Sequence, residues 1–379
     1  MISAPSGFGK TLNMDMARRF LEIEVDEDGK AIELDVDEDK RCLKSVQTKS
    51  KNFKLFEGKK ILEHKHFVFK HFGKYPTIHV DFSELVGNDY EEILVNFRKI
   101  LNKAFRQHAY LEKSLLRDSA KKLFMRHTDP EKCASLNEHD VKIGLDYLAQ
   151  LLHDHHGRAV YMFIDELDAP ANALVYPNMM TAKDRKRTIS LLQYITKLLL
   201  KENRYVERSL THACQRTSDL ILFDANNVRL CYCIEDHWVR KFYGFEEAEV
   251  KDLLEKAGRL EDFNKIKEKY NGYNMTSIDG IHTNMYSTWA IMNYLKTGNF
   301  DVYWSAGILH KIKELIGHDK IRLEITRIMS NMIGMKPIDF GSNDTIETSY
   351  KIFCNGEVNA REGGDVFIQV LMAQDSAFY

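Results

Sequence analysis

Eight residues near the start of the chain, Ala4-Pro5-Ser6-Gly7-Phe8-Gly9-Lys10-Thr11, bring glycines, a lysine and a hydroxyl into one short stretch. A loop that cradles phosphate reads G-x-x-x-x-G-K-[ST]; the stretch matches it except at the first glycine, where Ala4 stands. Gly9 lets backbone amides turn toward an anion, and a helix that starts there points its positive end the same way. Lys10 is placed to reach the β and γ phosphates of a nucleotide, and the Thr11 hydroxyl to ligate Mg2+. Gly7, Phe8, Gly9, Lys10, Thr11 and Leu12 are thus the candidate nucleotide-binding residues. The plainer alternative is a glycine turn capped into a helix.

A second group lies far along the chain. Ala159-Val160-Tyr161-Met162-Phe163-Ile164 is apolar throughout and ends in Asp165-Glu166, the form of a Walker B element. Asp165 at the strand tip would share the Mg2+ shell with Thr11, and Glu166 would orient or deprotonate the attacking water. Lys10 and Glu166 are therefore the catalytic candidates. The alternative here is a strand that ends in solvated acids. Both elements occur in the required order, each with the required local pattern, and together they favour nucleotide binding.

The elements that must hold these groups follow from periodicity. Leu12, Met16, Phe20 and Ile23 recur at helical spacing, which predicts a helix from Gly9 to about Ile23 with that stripe buried. Alternation on both sides of Asp28-Gly29 predicts an acidic surface hairpin over about 22–40, and Lys40 to Lys60 reads as a loop or an irregular lead-in. Thr77 to Phe82 has the composition of a buried strand. Asp89 with Glu92 has capping-box spacing ahead of a helix that buries Tyr90, Ile93, Phe97, Ile100, Leu101 and Ala104. After a polar stretch near 110–138, a helix carrying Val141, Leu145, Leu148 and Leu152 stops at Gly157.

The run at 159–164, apolar on both faces, suits a parallel sheet. A helix over roughly 183–202 and strands near 208–214 and 229–234 complete an alternating pattern, the signature of a parallel α/β core. From Phe245 the character changes, with helices expected at Glu246–Ala257, Trp289–Leu295 and Ile308–Ile316. The expected organisation is an α/β domain over 1–240 and a mainly helical C-terminal domain over 241–379. Only Met1 to Ser3 precede the loop, so the first strand looks truncated. A missing central strand would leave its neighbours unpaired, with weak nucleotide binding and marginal stability as the consequence.

Composition narrows the function classes. The chain has 379 residues, 54 basic and 56 acidic, for a net charge of −2, with 44% hydrophobic and 29% charged residues. That balance is ordinary for a globular protein and excludes nucleic-acid binding through bulk positive charge. No apolar run is long enough to cross a membrane, and Met1 to Pro5 lack the pattern of a signal peptide. Six cysteines, none in a CxxC pair, point to reduced thiols and an intracellular, cytoplasmic or nuclear location.

Pro5 to Asn13, with its Phe-Gly-Lys-Thr-Leu-Asn, resembles the AAA-ATPase-like family of predicted P-loop ATPases. Ile164-Asp165-Glu166-Leu167-Asp168-Ala169-Pro170 is close to that family's signature, and Tyr75-Pro76 through Asp81-Phe82-Ser83 resembles its second strand. Gly244-Phe245, Tyr270-Asn271-Gly272-Tyr273 and Tyr286-Ser287-Thr288-Trp289 are similar to its downstream landmarks. The resemblance implies a P-loop NTPase core with a helical region behind it, ATP and Mg2+ as ligands, and hydrolysis coupled to movement. It makes Asp168 and Pro170 signature positions without giving them a physical role. Where relatives carry arginines in the loop, this chain has Ser6 and Gly7. Where they carry Thr-Gly and a basic residue, it has Thr211-His212-Ala213-Cys214-Gln215-Arg216, in which Thr211 and Arg216 are the candidates for a γ-phosphate sensor. Losing those positive charges would leave an ATP binder with little hydrolysis. Relatives commonly continue into a restriction-endonuclease-like domain, but no Asp…Glu-x-Lys arrangement occurs at 330–379.

The remaining clusters have plainer readings. Glu24-x-Asp26-x-Asp28-Gly29 imitates a calcium loop but reads better as a hairpin. His153, His155 and His156 sit at a helix end, where imidazolium suits the dipole. Cys231 and Cys233 share a strand face and read as core; Lys183 to Arg187 reads as a solvated helix start, and the aromatic residues at 270–304 as packing. The expected activity is that of an ATPase that binds Mg-ATP. The alternatives are a degenerate, catalytically weak interaction scaffold and the regulatory half of a nucleic-acid-processing enzyme. A protein or nucleic-acid partner, and the oligomeric state, are not specified by any motif.

Overall fold

The computed structural model describes residues 1–303 apart from 35, 38–41, 44–49, 174–179, 202, 215–220, 223–226, 234–235, 271–272, 277–279, 281 and 302. The chain begins β1 (Ile2–Ser3), α1 (Lys10–Leu21), β2 (Val36–Asp37), β3 (Cys42–Leu43), α2 (Lys51–Phe56), α3 (Lys65–His71) and β4 (Thr77–Asp81). It continues α4 (Tyr90–Arg106), α5 (Asp118–Thr128), α6 (Pro130–Ala134), α7 (Glu138–His156), β5 (Val160–Asp165), α8 (Ala169–Ala173), α9 (Ala182–Leu200), β6 (Val206–Ala213) and β7 (Cys231–Tyr232). The last described elements are α10 (His237–Arg240), β8 (Phe245–Glu246), α11 (Glu247–Lys256), α12 (Phe263–Tyr270), β9 (Tyr273–Thr276), β10 (His282–Tyr286) and α13 (Thr288–Thr297).

Five strands form one parallel sheet in the order β4-β5-β6-β1-β7. With its surrounding helices this is an α/β core, as expected for a P-loop NTPase-like fold. The path from β1 to β4 crosses the sheet one way and the path β4 to β5 to β6 returns. Right-handed crossovers therefore put α1 on the opposite face from α4, α7 and α9. The packing agrees: α1 lies on β4, β5 and β6, while α4, α7 and α9 pack on one another and on the same strands. Asp81 pairs in register with Asp165, and Ile164 with Thr211, so the carboxyl ends of the strands are level.

Strand β1 is short but paired on both sides. Ile2 and Ser3 align with His212 and Ala213 of β6 and with Cys231 and Tyr232 of β7. Cys231 N donates to Met1 O and Cys233 N to Ser3 O. At these positions the neighbours are not left with open backbone groups, so the premise for weak binding and marginal stability does not hold there.

Local sequence accounts for most helices. The Asp89 carboxylate accepts from Glu92 N to start α4, and the Asn137 amide oxygen accepts from Asp140 N to start α7. Gly157 ends α7 with φ 66°, a conformation glycine adopts freely. The main core gathers Ile78, Val80, Phe97, Leu101, Leu148, Met162, Ile164 and Leu192 between sheet and helices.

Other expectations need correction. In α1 it is Lys10, Met14 and Phe20 that are buried, whereas Leu12 is 65% and Met16 48% exposed. The helix thus turns its Lys10–Met14 side, rather than its Leu12–Met16 side, to the protein. The supposed loop over 40–60 contains α2, capped by the Ser50 hydroxyl, and the polar stretch at 110–138 contains α5 and α6. The calcium-like acids read as a hairpin, and they serve the backbone: Asp26 accepts from Asp28 N and Lys30 N, and Glu24 from Lys51 N and Asn52 N. The basic run at 183–187 is also partly structural, with Arg187 over the Tyr90 ring and beside Glu138.

After residue 240 the helices α11, α12 and α13 are joined by a three-stranded antiparallel sheet, β8-β10-β9, that periodicity did not disclose. The helix expected at Ile308–Ile316 lies outside the described residues. Among the described residues, no helix is long and apolar enough to cross a membrane.

Candidate functional site

The loop between β1 and α1 turns through two glycines, Gly7 with φ 74° and Gly9 with φ 82°. Only glycine adopts these angles at little cost, so the chain can turn sharply here. Ala4, in place of the pattern's first glycine, needs no such freedom. It is buried beside Phe8, Cys231 and Met285, so its methyl group is core.

Thr11 and Asp165 meet at the mouth of this bend, the Thr11 hydroxyl donating to Asp165 Oδ2 at 2.6 Å. Lys10 is 5% exposed, and its ammonium donates to Ala4 O at 3.0 Å, Pro5 O at 3.1 Å and Cys214 Sγ at 3.0 Å. Glu166 Oε1 lies 3.9 Å from Lys10 Nζ. Burial alone would drive the Lys10 pKa down, but Cys214 and the Glu166 and Asp168 carboxylates outweigh it, so the pKa is raised and the ammonium stays charged. Burial pushes the Glu166 carboxyl above its ordinary value, against the pull of Lys10, which moves it toward the range of a general base.

Glu166 is the single described residue other than glycine with a positive φ, 51°. Backbone held in this region concentrates at functional sites, where neighbours fix it. Here Asp165 Oδ1 accepts from Glu166 N at 3.1 Å and Glu166 O from Ala169 N at 3.0 Å, which locks the turn at the strand tip.

The structure brings together Gly7, Gly9, Lys10, Thr11, Asp165 and Glu166. Phe8 points away from the mouth into a cluster with Val239, Tyr243 and Met285. Leu12 is at the surface beside the loop. Thr211 is buried opposite Ile164, and it is Cys214 rather than Thr211 that touches Lys10 and Glu166. Arg216 lies outside the described residues.

Two contributors were not legible as such. Asp168, fully buried, accepts from Cys214 N with both oxygens at 3.1 and 3.0 Å, tying the end of β6 to the turn after β5. That is a physical role for a signature position that had none. Cys214 Sγ lies 3.4 Å from Glu166 Oε2 and bridges it to Lys10. A single thiol at a strand end carries no sequence signal.

Residues 41–215 match a family model described as predicted AAA-ATPase. This segment is similar to the AAA-ATPase-like family. The match takes in β4, β5 with Asp165 to Asp168, and β6; the loop at 4–11 lies ahead of it. No curated protein and no solved structure matches the chain.

The loop and the start of α1 are joined to residues beyond 240. Gly7 O accepts from Trp289 N at 3.0 Å, Thr288 Oγ1 at 2.7 Å and Ser287 Oγ at 3.2 Å. A Cβ on Gly7 would lie 2.6 Å from Ser287 Oγ. Gly244 N donates to Phe8 O, and Asn13 Nδ2 to Phe242 O at 2.6 Å. The loop at 4–11 is thus held by two segments of the following region.

Proposed function

We propose that the chain is an ATPase that binds Mg-ATP at Gly7–Leu12 and hydrolyses it with Glu166 as the base. One observation carries the reading: Thr11 and Lys10, from the loop, converge with Asp165 and Glu166, from the tip of a distant strand. The donor set fits the ligands. Thr11 Oγ1 and Asp165 Oδ2 are paired oxygens of the kind a hard cation takes, and the bend that glycine permits offers amides to phosphate. When bound, Mg2+ would neutralise phosphate charge and polarise the transferred group.

The protein's own part is then clear. Lys10 exchanges the carbonyls of Ala4 and Pro5 for phosphate oxygens. Glu166, freed from the thiol of Cys214, takes a proton from water at its carboxylate. Because Gly7, Phe8 and Asn13 are bonded to residues 242–244 and 287–289, a shift of the loop on binding would be passed to the C-terminal region. This supports hydrolysis coupled to conformational change; the proposed boundary near residue 240 falls where the parallel sheet gives way to the antiparallel one. The free thiols Cys133, Cys214, Cys231 and Cys233 suit an intracellular, reducing compartment.

A second reading, a catalytically weak nucleotide-gated scaffold, draws on the same site: a thiol is a poor hydrogen-bond donor to face Glu166 and a γ-phosphate. The test is phosphate release from ATP by the full chain. Mg2+-dependent turnover supports the ATPase, and nucleotide binding without turnover moves the function to the scaffold.

A further inference from the structure

Behind Asp165 lies a buried histidine that the nucleotide reading does not use. His212, on β6, is fully buried, and its Nε2 lies 2.8 Å from the Tyr243 hydroxyl. Its Nδ1 faces Asp165 Oδ1 at 3.8 Å, too far for a hydrogen bond, and is buried with no hydrogen-bond partner. A buried polar atom left in this state costs free energy unless something completes it. The nearest candidate is the carboxylate whose other oxygen already holds Thr11.

The tautomer follows from the surroundings. The ring is fully buried, and in its neutral form it has one N–H to place on either nitrogen. If Nε2 carried the proton, the Nδ1 lone pair would face a carboxylate and be repelled. With the proton on Nδ1, the ring points an N–H at Asp165, and Nε2 accepts from Tyr243. Burial raises the Tyr243 pKa, so the phenol keeps its proton for that bond. Tyr243 is itself fixed. Its neighbours Phe242 and Gly244 are bonded to Asn13 of α1 and to Phe8 of the loop.

We propose that His212, oriented by Tyr243, is a positioning residue that holds the Asp165 carboxylate in the orientation needed for Mg2+. The proposal rests on the ATPase reading and deepens it. Residues that hydrogen-bond a metal-ligating carboxylate tune affinity by about 10–100-fold. Closing the 3.8 Å gap when the metal draws Asp165 into place would complete the Nδ1–H bond. Through Tyr243 the metal site would then sense the strap at 242–244, a link separate from the loop contacts.

The experiment is calorimetric titration of Mg2+ into the full chain saturated with a non-hydrolysable ATP analogue. Wild type is compared with His212→Gln, His212→Asn and Tyr243→Phe, and nucleotide affinity is also measured in EDTA. Gln keeps a polar atom near Nε2 and loses the one near Nδ1, whereas Asn keeps a donor near Nδ1. The expected result is Mg2+ affinity about tenfold weaker in His212→Gln, weaker also in Tyr243→Phe, and restored toward wild type in His212→Asn. Nucleotide affinity in EDTA should be unchanged in all three. Should His212→Gln fail to fold, Tyr243→Phe carries the test alone. Equal Mg2+ affinity in wild type and the His212→Gln and Tyr243→Phe variants overturns the assignment, as does an equal loss in His212→Asn. Absence of Mg2+-dependent binding in wild type overturns the ATPase reading itself.

Discussion

Thr11 Oγ1 lies 2.6 Å from Asp165 Oδ2, although 154 residues separate them in the chain. The sheet makes this contact: β1 is followed by the loop, β5 ends at Asp165, and β6 lies between the two strands. Because β1 and β5 run parallel, both ends open on the same side. The contact therefore depends on strand order and not on any local feature of either segment.

Replacing Glu166 with Gln removes the proposed proton acceptor while keeping the shape of the side chain. Turnover should fall by about 10²–10⁴-fold, the usual contribution of a positioned base. ATP-dependent stabilisation should persist. Steady-state phosphate release and a thermal shift on the same sample check both halves.

Asp168 closes the turn after β5 by accepting from Cys214 N with both oxygens. Asp168→Ala leaves that buried N–H without its carboxylate partner and should cost about 1–3 kcal/mol. The urea midpoint should fall and Cys214 should become more reactive toward a thiol reagent. An unchanged midpoint would show that the carboxylate does not hold the two strand ends together.

Phe8 is 1% exposed and packs with Val239, Tyr243 and Met285, so the loop between β1 and α1 is anchored in that cluster. Phe8→Ala should destabilise by about 3–5 kcal/mol, as for other large core truncations. Because the same residue fixes the loop, nucleotide affinity should drop as well. Chemical denaturation and nucleotide titration of the variant measure the two effects.

Acid should destabilise the fold well before carboxylates titrate. Burial lowers the pKa of His108 to about 3 and that of His156 to about 4, from 6.5. Below 6.5 the unfolded chain takes up protons that the folded chain refuses. Stability from these groups is therefore complete above that pH and is lost as pH falls toward the folded values. The expected loss is about 1.4 kcal/mol per histidine per pH unit. Urea midpoints between pH 7.5 and 5.5 test this, with His108→Gln expected to flatten the slope.

The sequence made the strands and the long capped helices legible because each rests on local signals. The unbroken apolar run before Asp165, the Asp89 cap and the Gly157 stop all appear where spacing and residue type placed them. The buried face of α1 was misread because Leu12 and Met16 fit a helical stripe, yet the helix turns its Lys10–Met14 side to the protein and that stripe outward. The sheet at 245–286 has strands too short, and too polar at His282 to Asn284, to alternate visibly. Within the site, the loop and the Asp165-Glu166 pair were legible as motifs. Cys214, His212 and Tyr243 were not, since their roles arise only where three separate segments meet.

The central claim is that the loop at Gly7–Thr11, with Lys10, takes the triphosphate of ATP. Its most direct measurement is a titration of Mg-ATP against the full chain, wild type beside Lys10→Ala, read as the shift in melting temperature. The account predicts a saturable rise in wild type that is absent in Lys10→Ala. An equal rise in both proteins, or none in wild type, would contradict it.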